Sequence, residues 1–170
     1  MLIDTVFFYL FALLTLGGAI LTITRRNAVH SAISLIVSLL GVAGLYLLQH
    51  AEFLFAVQIV LYVGGIMVLF LFVIMLVNLD QAAKERQFNR QWPIGIATAL
   101  VVAAEIGYFF YRGQGTFQMA ASAAPAVSTV GNTEQVADVL FSTYLLPFEI
   151  ASILLLVAVV GSVVMAKKRI

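Results

Sequence analysis

Twenty consecutive residues of the chain carry no charge. They run from Val60 to Leu79 and read VLYVGGIMVLFLFVIMLVNL. An uncharged apolar stretch of about 18 or more residues is typical of a helix that crosses a bilayer, whose hydrocarbon core is about 30 Å thick. In lipid only helices and closed barrels satisfy their backbone polar groups, and a barrel strand needs only about 9 to 11 residues. The segment therefore predicts a transmembrane helix.

Four other segments have the same character. Of the 170 residues, 63% are hydrophobic and only 10% are charged, whereas soluble domains carry about a quarter charged residues. We therefore predict an all-α integral membrane protein, with one membrane domain over residues 1–170 and five transmembrane helices. The predicted spans are 5–24, 30–49, 53–79, 92–111 and 147–166. Residues 112–146 predict a mostly irregular outer loop, in which TEQVADVLFSTYLL favours an amphipathic turn or two at the interface.

Basic residues in the connections predict the orientation, because lysine and arginine are enriched in cytoplasmic loops. All but one fall in three regions on the same side of a five-span chain: Arg25, Arg26, Lys84, Arg86, Arg90, Lys167, Lys168 and Arg169. The exception, Arg112, lies on the opposite side with Asp4, Glu52, Glu134 and Asp138. We therefore expect the N-terminus outside, in the periplasm, and the C-terminus in the cytoplasm.

Small residues recur at helical spacing in two predicted spans. The second span carries Ser31, Ser34, Ser38 and Gly41, and the fourth carries Ala99, Ala103 and Gly107. Such stripes allow helix backbones to approach closely in lipid. The sequence leaves open whether they pack within this chain or against other subunits.

Few residues offer chemistry. The chain has no cysteine, and no nucleotide-binding loop, metal cluster or catalytic triad is visible. His30 and His50 each stand at a predicted helix end, where a solvated histidine is expected more often than a ligand. We expect no metal site, no cofactor bound by this chain and no nucleic-acid partner.

Two carboxylates are placed differently from the rest. Glu105 falls inside the fourth predicted span, where a carboxylate is costly unless it is paired, hydrated or protonated. It could serve a proton relay, pair with a basic residue of a neighbouring subunit, or face a polar crevice as a protonated group. Glu149 follows Pro147 at the predicted start of the fifth span, where the helix dipole favours a negative charge.

The third predicted span contains polar and flexible positions. Gln58 precedes Tyr62 by one helical turn, and Gly64 and Gly65 follow. As an ideal helix, residues 53–79 would extend about 40 Å at 1.5 Å per residue, which exceeds the bilayer core of about 30 Å. Gly64 and Gly65 are the easiest place for a local irregularity such as a π-bulge. Alternatively, the glycines admit a neighbouring helix.

Three stretches resemble one family. The segments are RNAVHSAISLIVSLLGVAGLYLL from Arg26, FAVQIVLYVGGIMVLFLFVIMLVNL from Phe55 and YLLPFEIASILLLVAVVGSVVMAKKR from Tyr144. They are similar to the second, third and last helices of the J subunit of respiratory complex I, the proton-pumping NADH:quinone oxidoreductase. That subunit corresponds to subunit 6 of the mitochondrial enzyme.

The resemblance implies a role for the third helix. In the family, this helix forms a π-bulge that can rotate into a regular helix and thereby open or close a water path near the quinone cavity. The residues that match this hinge are Tyr62, Gly64, Met67 and Phe70, together with Gly65, which stands where alanine is common. Gln58 stands where some members have glutamate, so this chain has no carboxyl group there. Gln58, Glu105 and Glu149 are candidates for the proton path or for subunit contacts.

The resemblance further implies a non-redox subunit of a translocase in the bacterial plasma membrane. The complex would use NADH, FMN, iron–sulfur clusters and a quinone, all held by other chains. The expected partners are the lipid bilayer and the membrane subunits that form the quinone cavity and the first proton path. Two alternatives remain: a small subunit of a related cation/proton antiporter or membrane hydrogenase, and a purely structural assembly subunit.

Overall fold

The computed structural model of the chain describes residues 2–77, 91–121 and 131–167. All regular secondary structure in these ranges is helical: α1 Leu2–Thr24, α2 Ala28–Leu48, α3 Glu52–Val57, a π-helix Gln58–Met67, α4 Val68–Leu76, α5 Trp92–Ala121, α6 Asn132–Ser142 and α7 Leu145–Ala166. Five stretches are long and apolar enough to cross a membrane: Leu2–Thr24, Ala28–Leu48, Glu52–Leu76, Trp92–Gly113 and Leu145–Ala166. The predicted all-α class and number of spans are confirmed.

The first two spans form a tight antiparallel hairpin. Asn27 ends the short turn with extended backbone angles, and its side-chain oxygen accepts hydrogen bonds from the backbone nitrogens of Val29 at 2.9 Å and His30 at 3.3 Å. Asparagine is among the best residues at this position, because it satisfies amide groups that have no partner within the helix. This cap starts α2 at Ala28, two residues before the predicted start of the span.

The hairpin is held by small residues at backbone distance. A Cβ atom on Gly18 would lie 2.7 Å from the backbone nitrogen of Ser38, and one on Gly41 would lie 2.8 Å from that of Thr15. The hydroxyl of Ser38 donates to the carbonyl oxygen of Thr15 at 2.8 Å, and the hydroxyl of Ser31 donates to that of Thr22. The small-residue stripe of α2 therefore packs against α1. For this stripe, the structure supports packing within the chain.

The turn between α2 and α3 depends on one backbone angle. His50 has φ of 56°, in the left-handed region that few non-glycine residues occupy. The backbone nitrogen of His50 donates to the carbonyl of Leu47, and that of Ala51 donates to the carbonyl of Tyr46. These two bonds form the Schellman motif that ends many helices. The placement of His50 therefore has a complete structural explanation.

The segment between the fourth and fifth spans is more helical than the sequence predicts. The expectation of a mostly irregular loop over 112–146 is wrong in two places, because α5 continues to Ala121 and α6 occupies Asn132–Ser142. No proline occurs between 112 and 121, so the helical hydrogen bonds continue past the end of the span. Within TEQVADVLFSTYLL, the expected amphipathic turns form most of α6. Pro125 lies outside the described residues, as do Lys84, Arg86, Arg90, Lys168 and Arg169.

Helix α6 connects the starts of two spans. The backbone nitrogen of Phe53, next to the start of α3, donates to the side-chain oxygen of Asn132 at 3.3 Å. At the other end of α6, the rings of Phe141 and Phe148 meet edge to face with their centroids 5.2 Å apart. Because Phe148 belongs to the first turn of α7, α6 spans the gap between the third and fifth membrane helices.

Candidate functional site

The third span changes its helical winding along its length. Residues 58–67 form a π-helix, whose hydrogen bonds join residues five apart, and regular α-helix precedes and follows it. The residues at its two borders, Val57 and Val68, have ordinary α-helical angles, so the rod is not broken. Most π-helical segments in proteins are single turns, and they occur preferentially at functional sites. The ten residues here make an unusually long one.

The two glycines lie inside this π-helix. A Cβ atom on Gly64 would lie 3.2 Å from the carbonyl oxygen of Ile59, and one on Gly65 would lie 3.7 Å from that of Val60. Both oxygens belong to the same π-helix, five residues earlier. Within the described ranges, no atom of another helix comes within 4 Å of either position. The glycine pair is therefore not a notch for another described helix of this chain.

The winding determines which side chains face α2. Gln58 and Met67 are buried, with 6% and 5% of their surface exposed. In the part of the chain that the structure describes, α2 is the one helix outside the third span that contacts the π-helix. The nine steps along the chain from Gln58 to Met67 would make about two and a half turns of α-helix, at 3.6 residues per turn. Only the wider π turns bring both side chains to the α2 side.

The remaining hinge candidates face away from the bundle. Tyr62 has 47% of its surface exposed and Phe70 has 48%, and Gly64 and Gly65 are also exposed. Gln58 and Tyr62, four residues apart in the π-helix, therefore differ sharply in burial. Of the five hinge candidates, the structure places Met67 alone against a described helix and leaves the other four on the outer surface.

The two candidate carboxylates do not join this site. Glu105 is exposed on α5, which contacts no other helix in the described part of the chain. Glu149 is exposed on α7, whose contacts with described helices are confined to α6. Because α7 begins at Leu145, Glu149 is its fifth residue and lies in the second turn. The effect of the helix dipole falls off within the first turn, so it stabilises Glu149 less than the predicted start at Pro147 implied.

Metal-binding chemistry finds little support in this arrangement. Among the described residues, no group of three or more histidine, cysteine, aspartate or glutamate side chains could hold an ion. The chain has no cysteine at all, so thiolate ligands for an iron–sulfur cluster would have to come from other chains. His30 is exposed in the first turn of α2 and His50 is exposed in the turn after it.

Sequence reasoning missed two contributors to this region. Asn132 holds the start of α3 through its side-chain oxygen, and Val63 lies half-buried between Gln58 and Met67. An asparagine just before an amphipathic segment is a recognisable signal for a helix start. Nothing local in the sequence indicates that its oxygen bonds to a residue 79 positions earlier. Val63 becomes an inward-facing position only under π winding.

Comparison with known proteins gives a consistent result. The sequence model of the family described as NADH-ubiquinone/plastoquinone oxidoreductase chain 6 matches residues 18–165. NADH-quinone oxidoreductase subunit J of Rhodobacter capsulatus is 37% identical over 164 residues, covering 95% of this chain and 81% of that protein. NADH-ubiquinone oxidoreductase chain 6 of Chondrus crispus is 37% identical over 168 residues, covering 96% and 82%. F(420)H(2) dehydrogenase subunit J of Methanosarcina mazei is 33% identical over 166 residues, covering 97% and 92%.

These matches extend over nearly the whole chain. The matched residues begin in the last third of α1 and continue to the end of α7, so they include the π-helix and all of the later spans. Five membrane-capable helices and this coverage describe a multi-pass membrane protein of one family. The chain belongs to the NADH-ubiquinone/plastoquinone oxidoreductase chain 6 family, in which its resemblance to the J subunit of complex I had placed it.

Proposed function

We propose that this chain is a non-redox membrane subunit of a proton-translocating NADH:quinone oxidoreductase, and that its third span gates a proton or water path near the quinone cavity. The family match and the subunit J relatives support the first part. One observation carries the second: Gln58 and Met67 are both buried against α2 although they are nine residues apart. The π-helical winding of residues 58–67 allows this arrangement, and a regular α-helical winding does not.

Rewinding to a regular α-helix would change the surface that the third span presents. Rewinding the nine steps from Gln58 to Met67 into about two and a half α-helical turns rotates everything beyond them by about half a turn relative to the π form. Gln58 and Met67 then lie on opposite sides, so that one of them leaves α2. The hydroxyl of Tyr62, half-exposed in the π form, moves with the same rotation. A polar group that is turned toward or away from a cavity opens or closes a path for water.

The energetics suit a switch. A ligand-driven gate needs two states within a few kcal/mol of each other. Glycine weakens a regular helix by about 1 kcal/mol relative to alanine, so Gly64 and Gly65 bring the α form closer in free energy to the π form. The gate includes Tyr62, Met67 and Phe70 as the side chains that the rotation moves. Gln58 is the polar group at its inner face.

The partners and cofactors follow from the family. We infer that the membrane subunits forming the quinone cavity and the first proton path surround this chain, and that other chains hold NADH, FMN and the iron–sulfur clusters. The distribution of basic residues supports a periplasmic N-terminus and a cytoplasmic C-terminus in a bacterial plasma membrane. In this orientation the π-helix begins in the outer half of the third span and crosses its middle.

A second candidate function differs in the electron donor. The relative from Methanosarcina mazei is a subunit of an F(420)H(2) dehydrogenase. This chain aligns with 92% of its length, compared with 81% of the length of subunit J from Rhodobacter capsulatus. The chain could therefore serve a dehydrogenase with another donor. Copurified subunits and the donor that drives quinone reduction distinguish the two. An antiporter or hydrogenase subunit predicts no NADH oxidation at all.

The gate is tested by two neighbouring alanines. In the intact complex, Gly64→Ala places a Cβ atom 3.2 Å from the Ile59 carbonyl oxygen of the π form, whereas Gly65→Ala meets only an ordinary 3.7 Å contact. Both changes favour helix in general by the same increment of about 1 kcal/mol. We expect Gly64→Ala, and more strongly Gly64→Leu, to alter two quantities: the number of protons pumped per quinone reduced, and the rate at which the idle enzyme passes from an active to a resting state.

Gly65→Ala is the matched control and should have a smaller effect on both quantities. Gly161→Leu, in a span where nothing lies within 4 Å of the added Cβ atom, controls for leucine in a membrane helix. If the Gly64→Leu complex matches the native complex in protons pumped per quinone reduced and in its passage to the resting state, the third span is not the gate. If Gly64→Ala and Gly65→Ala act equally, helix propensity and not π winding is responsible.

A further inference from the structure

Helix α5 stands apart from the rest of the described chain. Every side chain from Trp92 to Arg112 is exposed, and α5 contacts no other described helix. The first three spans, in contrast, form one connected bundle through α2. A polar side chain on α5 therefore finds no partner on another helix within the part of the chain that the structure describes.

The surface of α5 has two unlike sides. Four polar residues at spacings of seven, three and four positions share one side, which we call the Glu105 face: Thr98, Glu105, Tyr108 and Arg112. At about 100° per residue, Ala103 lies about 200° from Glu105. The small-residue stripe Ala99, Ala103 and Gly107 therefore occupies the opposite side. One side suits close apolar packing and the other presents polar groups.

Glu105 lies deep within the span. It comes 13 residues after Trp92 and 8 before Gly113 in the membrane-capable stretch Trp92–Gly113. At about 1.5 Å per residue, it is about 12 Å from the nearer end, well inside a hydrocarbon core of about 30 Å. A carboxylate at this depth is strongly unfavourable unless a partner compensates its charge, and such groups in membrane helices usually face other protein rather than lipid.

The other polar groups of the Glu105 face are already engaged. The hydroxyl of Thr98 donates to the carbonyl oxygen of Ile94 at 2.9 Å. The Nε atom of Arg112 donates to the hydroxyl of Tyr108 at 3.1 Å, and its guanidinium lies 5.9 Å from the centre of that ring. Arg112 is also seven residues from Glu105, about 10 Å along the helix. It therefore does not neutralise the carboxylate.

No other basic residue of the chain lies at this depth. Arg25, Arg26 and Lys167 follow the ends of their helices, and the remaining basic residues fall in sequence outside all five spans. A charge that compensates Glu105 would therefore come from another polypeptide. We propose that the Glu105 face of α5 is the contact surface for a membrane helix of a neighbouring subunit that carries a lysine, arginine or histidine at the depth of Glu105.

This proposal rests on the proposed function only for the source of the partner, which is a subunit of the same complex. The test uses the intact complex, purified in mild detergent with a photoreactive benzoylphenylalanine at Val101, one turn from Glu105 on the same side. Leu100 lies at the same depth on a different side and serves as the control position. We expect the Val101 probe to cross-link to a membrane helix of a copurifying subunit that contains a basic residue within its span.

A charge-removal series follows the cross-link. We expect Glu105→Leu to lower the fraction of this chain retained in the complex by roughly tenfold, the factor that corresponds to about 1.4 kcal/mol. Replacing the partner's basic residue with leucine in the Glu105→Leu background should restore retention, because neither charge is then left unpaired. Ile106→Val, one residue from Glu105, controls for a changed apolar contact at nearly the same depth and should leave retention unchanged.

Several outcomes overturn the proposal. If the Val101 probe labels only lipid, no neighbouring helix contacts the Glu105 face. If it cross-links to a helix without a basic residue in its span, that helix is not the proposed partner. Full retention of Glu105→Leu shows that the carboxyl group faces lipid in its protonated form. These measurements do not depend on pumping or on the electron donor. A negative result would therefore reject the proposed contact without rejecting the proposed gate or the NADH-linked function.

Discussion

The side-chain oxygen of Asn132 accepts a hydrogen bond from the backbone nitrogen of Phe53, 79 residues earlier in the chain, at 3.3 Å. Phe53 is the second residue of α3, where backbone nitrogens have no acceptor within the helix. A residue of the segment between the fourth and fifth spans thus supplies the cap that Ala51, the residue before α3, cannot supply with its methyl side chain. The start of the third span depends on α6.

Removing this cap should loosen the start of the third span. We expect Asn132→Ala to destabilise the contact by about 1 kcal/mol, the net value of a typical hydrogen bond. Amide hydrogen exchange over residues 52–57 of the intact complex should then become faster, while exchange in α1 stays the same. Asn132→Asp keeps an acceptor oxygen and serves as the control. Equal exchange in the alanine and native chains would show that the bond contributes nothing.

Two adjacent glycines of α1 should respond in opposite directions to the same substitution. Gly18→Ala places a Cβ atom 2.7 Å from the backbone nitrogen of Ser38, whereas nothing lies within 4 Å of a Cβ atom on Gly17. Overpacking of this kind destabilises by about 1 to 3 kcal/mol, and Gly17→Ala should be neutral or mildly stabilising because alanine favours helix. Thermal unfolding in detergent measures both. A Gly18→Ala chain as stable as Gly17→Ala would contradict the close packing of α1 on α2.

His50 should be replaceable by glycine with a gain in stability. Its φ of 56° is unfavourable for a residue with a side chain, and glycine removes roughly 1 kcal/mol of that strain. We expect His50→Gly to raise the unfolding temperature and to leave quinone reduction unchanged. His50→Val, which is branched at Cβ, should lower it. Loss of activity in the stable glycine variant would reveal a chemical role for the imidazole that the turn geometry does not require.

Met67 should behave as a core residue despite its place in a lipid-facing segment. With 5% of its surface exposed, Met67→Ala leaves a cavity beside α2 and should cost about 2 to 5 kcal/mol in the π form. Because the α form turns either Gln58 or Met67 away from α2, the substitution should also shift the balance toward that form. Hydrogen exchange over 58–67 reports the shift.

Leu69→Ala is the control for Met67, because Leu69 is exposed in this chain. The two variants remove side chains of similar volume within one turn of helix. If Leu69→Ala destabilises the chain as much as Met67→Ala, burial in the π form does not govern this segment. The outer side of α4, rather than α2, would then supply the main contacts.

The membrane spans could be predicted from the sequence because lipid imposes a simple rule. The runs 53–79 and 147–166 are long and apolar, with no charged residue in the first and only Glu149 in the second, and a membrane helix accommodates such segments. The helix ends were harder to place. Asn27 starts α2 two residues early through its cap, and α5 extends to Ala121 because nothing in RGQGTFQMAA forces it to stop.

The site was less predictable because it depends on contacts between distant residues. Gly64 and Gly65 indicated where an irregularity would be easy, but a ten-residue π-helix reflects the packing of Gln58 and Met67 on α2. The cap from Asn132 to Phe53 is equally invisible to local reasoning. The stripes of small residues on α2 and α5 look alike in sequence, yet α1 covers the first and no described helix covers the second.

The clamped hairpin and the cap on Phe53 have a joint consequence for motion. At its N-terminal end the third span is tied to α6 through Asn132, and α2 beside it packs on α1 at backbone distance. The rewinding proposed for residues 58–67 would twist the rest of this span by about half a turn. Because the upstream end is anchored, that torsion would pass through α4 toward Leu76.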